Sequence, residues 1–217
     1  AMTDFRARFT TPSAQVAMNE LSNHDHSRFL TRTNHMVGRT AFAGPMAADM
    51  GVNTAVMRMA VVVQMTWVGA PTLYYGDEAG LCGWTDPDNR RSYPWGREDK
   101  DLIRFHKEMI RIHKDYQALK TGSLIYMHNE YGKIGFGRFD EDDKFFVLLQ
   151  IGGQRQDVDV EVWRLGVEDG EKMACMMYTD SEGYHMSADV KTVENGRIRV
   201  TLGTDCAIVC KSIDMGW

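Results

Sequence analysis

Beyond Gly122 the hydrophobic period of the chain drops to two. Short runs of alternating character occupy 123–127, 134–139, 145–151, 158–162, 174–178, 198–202 and 207–210. Turn-forming residues separate them, among them Asp140-Glu141-Asp142-Asp143, Gly152-Gly153, Asp169-Gly170 and Asn195-Gly196. Successive side chains of a strand point to opposite faces, so a period of two buries one face and leaves the other wet. Seven such runs at short, regular spacing predict an antiparallel β-sandwich over 122–217.

Upstream the period is helical. Val56, Met57, Met59, Ala60, Val63 and Trp67 predict a helix over 53–67, apolar nearly all round and therefore buried. Its methionines read as core filler. Leu102, Phe105, Met109, Ile112, Tyr116 and Leu119 form one apolar stripe, which predicts a helix over 101–119. Asp99 or Asp101 can cap its start and Gly122 can close its end. His106 and His113 read as exposed or partly buried helix residues, not ligands. Residues 2–14 fit a loop or short helix, residues 15–21 a short strand and 72–75 another. Strand, loop, helix, strand is a βαβ pattern, which implies parallel strands. The domain boundary is expected near residue 121, giving domains 1–121 and 122–217.

Composition excludes several functions. The 217 residues carry a net charge of −5, and Arg90-Arg91 is the one adjacent Arg pair. Phosphate binding needs a clustered basic surface, so neither nucleic acid nor an anionic membrane is an expected partner. The apolar stretch 55–75 is interrupted by Arg58, Gln64 and Pro71, which disfavours a membrane span. The polar start, Ala1 to Arg6, does not read as a signal peptide. The four cysteines lack a Cys-x-x-Cys pair and a companion His cluster. They read as reduced, partly buried thiols, which suits a cytoplasmic location. No metal site is expected.

Chemistry concentrates in Asn19-Glu20-Leu21-Ser22-Asn23-His24-Asp25-His26-Ser27-Arg28. Two imidazoles, one carboxylate and one guanidinium fall within five residues at the end of a short strand. In a parallel α/β barrel the strand C-termini deliver such groups to one face. A second concentration is the loop 81–95, rich in Gly, Pro, Asp and Asn but also carrying Trp84, Tyr93 and Trp95. Loops of that length in a compact domain are usually functional.

Leu21 to Arg28 resembles the strand-seven motif of the α-amylase family of glycoside hydrolases. Gly69-Ala70-Pro71-Thr72-Leu73-Tyr74-Tyr75-Gly76-Asp77-Glu78 resembles its strand-eight motif. Asp86-Pro87-Asp88-Asn89-Arg90 is similar to a loop of the neopullulanase, cyclomaltodextrinase and glucanotransferase branches. The resemblance implies a mixed fold: the last two βα units of a (β/α)8 TIM barrel, then the C-terminal sandwich. The first six βα units would be missing.

The same resemblance implies the roles. Asp25 is the carboxylate that stabilises the oxocarbenium-like transition state, and His24 hydrogen-bonds the same sugar ring. Asp86 and Arg90 contact the donor-side sugar, or form an ion pair that stiffens the loop, or both. Trp84 and Tyr93 stack on a sugar face or pack the loop. Arg28 braces the loop or pairs a carboxylate, His26 is a surface residue or sits just behind the site, and Glu78 is structural. A retaining glycosidase also needs a nucleophile and a general acid about 5 Å apart. No segment here matches the motifs that carry them.

The parent protein is thus expected to be an enzyme acting on α-1,4 or α-1,6 bonds of starch, pullulan or cyclodextrin, with this chain inactive by itself. The alternative is a non-catalytic carbohydrate-binding or structural module. No cofactor is implied for these residues; calcium, if bound, would belong to the missing part. The expected partners are an α-glucan oligosaccharide and either the remainder of the barrel or another copy of the chain.

Overall fold

The computed structural model describes residues 7–187 and 189–213, so the polar start 1–6 lies outside the described residues. The chain divides into two compact units, 1–112 and 113–217.

In the first unit α1 (Thr11–Gln15) leads into β1 (Met18–Glu20). Two single-turn helices follow, α2 (Phe29–Arg32) and α3 (Thr40–Ala43), before α4 (Thr54–Thr66) and β2 (Ala70–Thr72). β1 and β2 pair in parallel, with Met18 opposite Ala70 and Glu20 opposite Thr72. This is the expected βαβ arrangement, but its second strand ends at Thr72 and does not run over 72–75. β1 stops at Glu20, where the chain turns, and a ladder cannot outlast its partner.

Local chemistry positions these elements. Asn53 caps α4, its Oδ1 accepting from the N–H groups of Ala55 (3.0 Å) and Val56 (3.2 Å). Buried Gln64 docks the helix on both strands, donating to the carbonyls of Asn19 (3.0 Å) and Thr72 (2.8 Å). Gly69, at φ +138°, lies against Asn19 and the Ala17 carbonyl; a Cβ there would stand 2.5 Å from Asn19 Oδ1. No helix among the described residues is long and apolar enough to cross a membrane.

The expected helix over 101–119 is two helices, α5 (Lys100–Asp115) and α6 (Gln117–Lys120). Tyr116 between them is extended, at φ −120° and ψ 125°, and its ring packs edge-on against Phe145 at 5.0 Å. The Asp99 carboxylate caps α5 by accepting from the Leu102 N–H at 2.9 Å. His106 is buried, contrary to expectation. Its Nδ1 lies 2.8 Å from the Leu102 carbonyl, and burial lowers its pKa, so it is a neutral core residue.

The second unit is antiparallel β throughout. Its strands are β3 (Ser123–Glu130), β4 (Lys133–Phe139), β5 (Lys144–Gln150), β6 (Gln156–Glu161), β7 (Lys172–Thr179), β8 (Tyr184–His185), β9 (Asp189–Thr192), β10 (Arg197–Leu202) and β11 (Cys206–Ile213). The larger sheet runs β3-β4-β5-β11-β7-β8, with β9 also on β7; β6 and β10 pair separately. Met127, Phe146, Leu148, Cys175 and Ile208 from the large sheet share one core with Val160, Ile198, Val200 and Leu202 from the pair. The sheets therefore face each other as a sandwich.

Each predicted run became a strand, and β8 and β9 are two further short ones. β5 is buried from Phe145 to Gln150, as a central strand covered on both faces must be. β10 alternates instead. Its outward residues pair directly across to β6: Arg197 with Glu161, Arg199 with Asp159, Thr201 with Asp157, all within 2.7–2.9 Å.

Candidate active-site wall

The loop after β1 is held by one buried cation. Arg28 is fully buried, and its Nη1 donates to Asp77 Oδ1 (2.9 Å) and to the Tyr75 carbonyl (2.8 Å). Its Nε donates to the Asn89 carbonyl at 2.9 Å, and its backbone N–H to the Gly83 carbonyl at 2.9 Å. The guanidinium lies over the rings of Tyr74 and Tyr75, 4.4 and 4.9 Å from their centroids. A planar fork of donors suits this convergence of acceptors and ring faces. Arg28 thus braces both loops and pairs a carboxylate.

Asn89 closes the clamp from the other side. It is fully buried, and its Nδ2 donates to the carbonyls of Asn23 (3.2 Å) and His26 (2.8 Å). Asn23 folds the intervening turn: its Oδ1 accepts from the N–H groups of Asp25 (2.9 Å) and His26 (3.2 Å). Ser22 Oγ accepts from Phe29 N–H at 2.9 Å. The segments 22–29 and 83–90 are therefore one hydrogen-bonded body.

That body presents His24 and Asp25 outward. Their side chains are 63% and 66% exposed, with His24 Nε2 and Asp25 Oδ1 3.4 Å apart. Arg90, next to Asn89, meets Asp86 at 2.5 Å, both half-exposed. The ion-pair reading of Asp86 and Arg90 is therefore realised, and both side chains stay open to solvent. Asp88 faces the other way, accepting from Trp84 N–H (2.9 Å) and from Arg91, which also reaches Asp49.

Trp84 requires a correction. It is 1% exposed, with Gly38 tight against its ring and its indole N–H donating to the Gly44 carbonyl at 3.1 Å. A covered ring cannot stack on a sugar; Trp84 packs the loop. The open aromatic of this loop is Trp95, 80% exposed and 4.5 Å from the Tyr93 ring. Exposure is the one property that distinguishes the two tryptophans, and residue type alone does not carry it. No group of three or more His, Cys, Asp or Glu among the described residues is arranged to hold a metal ion.

Asp77 is the buried carboxyl of the wall. Burial is the largest influence and outweighs the Ser22 hydrogen bond and Arg28, pushing its pKa up to about 6. A raised native pKa means that the folded chain holds its proton at pH values where the unfolded chain has lost it. The contribution is complete below about pH 4 and is lost as pH rises through 6. Relative to Asp77→Asn, the wild-type chain should lose about 2 kcal/mol of unfolding free energy between pH 4 and 7. Parallel urea titrations across that range check this; matching pH profiles would refute it.

Residues 3–121 match the family model described as the α-amylase catalytic domain. The chain is 34% identical over 208 residues to an amylopullulanase of Thermoanaerobacter thermohydrosulfuricus, covering 91% of this chain and 13% of that protein. It is 35% identical over 163 residues to neopullulanase 2 of Thermoactinomyces vulgaris, covering 72% and 25%. It thus spans about a quarter or less of these relatives' lengths.

Among solved structures, the α-amylase of Geobacillus thermoleovorans complexed with acarbose superimposes with a TM-score of 0.76 at 20% identity. That match covers 98% of this chain and 42% of the other, and shows a shared fold. The fold is accordingly the closing βα units of a (β/α)8 barrel followed by an antiparallel sandwich. With more than half its length matched by the family model, the chain belongs to the α-amylase family.

Proposed function

We propose that segments 20–28 and 83–91 form one wall of a sugar subsite in a retaining α-glucan-active glycoside hydrolase. In this reading Asp25 stabilises the oxocarbenium-like transition state and His24 binds hydroxyls of the same ring. Asp86 and Arg90 bind the neighbouring donor-side sugar, where a carboxylate and a guanidinium can each bridge vicinal hydroxyls. The nucleophile and general acid come from outside the 217 residues, and the partner that supplies them is the rest of a barrel or another copy. The substrate class is starch, pullulan or cyclodextrin.

One observation carries the reading: the Arg28–Asn89 clamp fixes exposed His24 and Asp25 beside the loop of Asp86 and Arg90. A rigid body presenting solvent-open hydrogen-bonding groups is what a polyhydroxylated ligand requires.

Calorimetric titration with maltoheptaose tests it. Asp25→Ala should weaken binding about tenfold or more, the scale of a lost charge-assisted hydrogen bond. The chain alone should release no sugar from maltooligosaccharides. Turnover that survives repurification, or affinity indifferent to Asp25→Ala, would overturn the reading.

A further inference from the structure

The sandwich holds a thiol pair that carbohydrate chemistry does not use. Cys175 on β7 stands directly opposite Cys210 on β11, just past the bulge between Val209 and Cys210. Opposed residues of an antiparallel pair have Cα atoms roughly 4.5–5.5 Å apart. A disulfide spans roughly 4.4–6.8 Å. The two sulfurs lie 2.7 Å apart, and both cysteines are free.

Their surroundings divide the labour. Cys175 is itself buried, 4% exposed, but it is among the residues that line a cavity of about 500 Å³, with Tyr178, Asp189 and Lys191. Cys210 is fully buried. The contact between the two sulfurs lowers the pKa of Cys175, against burial and the charge of Asp189 and with Lys191 beside it, while burial pushes Cys210 up. The cavity therefore lies on the Cys175 side of the pair, with Cys210 behind it.

We propose that Cys175 and Cys210 are a dithiol–disulfide couple, oxidised by hydrogen peroxide. The Cys175 thiolate attacks one peroxide oxygen. The O–O bond breaks, a sulfenic acid forms, and the departing hydroxide takes a proton to become water. The Cys210 sulfur then attacks the sulfenic sulfur, the S–S bond forms, and a second water leaves with the Cys210 proton. Two thiols are oxidised by two electrons and one peroxide is reduced to two waters. The new bond ties β7 to β11, which are neighbours in the middle of the sheet.

Peptide mapping of the folded chain after peroxide treatment and alkylation in denaturant tests this. The four thiols of the reduced chain should fall to two, with a Cys175–Cys210 cross-linked peptide and with Cys82 and Cys206 alkylated. In Cys210→Ser the sulfenic acid has no resolving thiol, so dimedone should label Cys175 there and not in the wild type. Four alkylatable thiols after treatment would overturn the proposal. So would equal dimedone labelling of Cys175 in both proteins.

Discussion

Arg28→Ala lowers the unfolding free energy of the chain by about 3–5 kcal/mol, the range for stripping one partner from a buried ion pair. The substitution leaves Asp77 buried without its cation, and the carbonyls of Tyr75 and Asn89 without a donor. Each orphaned carbonyl adds roughly 1–3 kcal/mol of desolvation unless water reaches it. The segments 22–29 and 83–90 also lose their common anchor, so protease cleavage within both should accelerate together. Arg28→Lys should recover only part of the loss, because one ammonium cannot reproduce the guanidinium's planar fork or its stacking on Tyr74 and Tyr75. Urea unfolding with limited proteolysis reads both effects. A loss under about 1 kcal/mol would mean that the clamp is solvated and dispensable.

The elements that could be read from sequence are those whose periodicity is decided locally. The stripe from Leu102 to Ile112 and the run from Phe145 to Leu149 each carry their signal within one element, and both fold as read. The deviations come from partners distant in sequence. Thr72 ends β2 because β1 ends at Glu20, fifty residues earlier in the chain. Tyr116 leaves the helix as its ring packs against Phe145.

The site follows the same division. His24, Asp25, Asp86 and Arg90 are recognisable because their motifs are contiguous. Asn89, the residue that joins the two loops, sits inside a quoted motif, yet its bonds reach back more than sixty residues. Nothing in its neighbours' identities announces that. Trp84 and Trp95 are equally plausible as sugar platforms on residue type alone; Gly38 and Gly44 cover one of them and leave the other open.

Phe146→Ala should cost about 3–5 kcal/mol, near the upper end for a buried aromatic. The reason lies across the strand. Phe146 is fully buried on β5, opposite Gly137 on β4 and Cys210 on β11. β4 places two glycines against this space. A Cβ on Gly135 would meet the Phe146 ring at 3.3 Å, and one on Gly137 would meet Leu165 and Met127 closer than contact. The ring fills volume that its neighbours leave empty. With no side chain on either glycine to swing inward, the space cannot close when the ring is removed, and residual cavity volume sets the upper part of the penalty. Phe146→Leu retains most of that volume and should lose only about a third as much. Denaturant unfolding followed by far-UV circular dichroism separates the cases: the midpoint should fall while the slope stays at its wild-type value, since the surface exposed on unfolding hardly changes. A loss below about 1.5 kcal/mol for Phe146→Ala would show that the sheets move together to fill the gap, and that large-to-small matching between β5 and β4 does not govern this core.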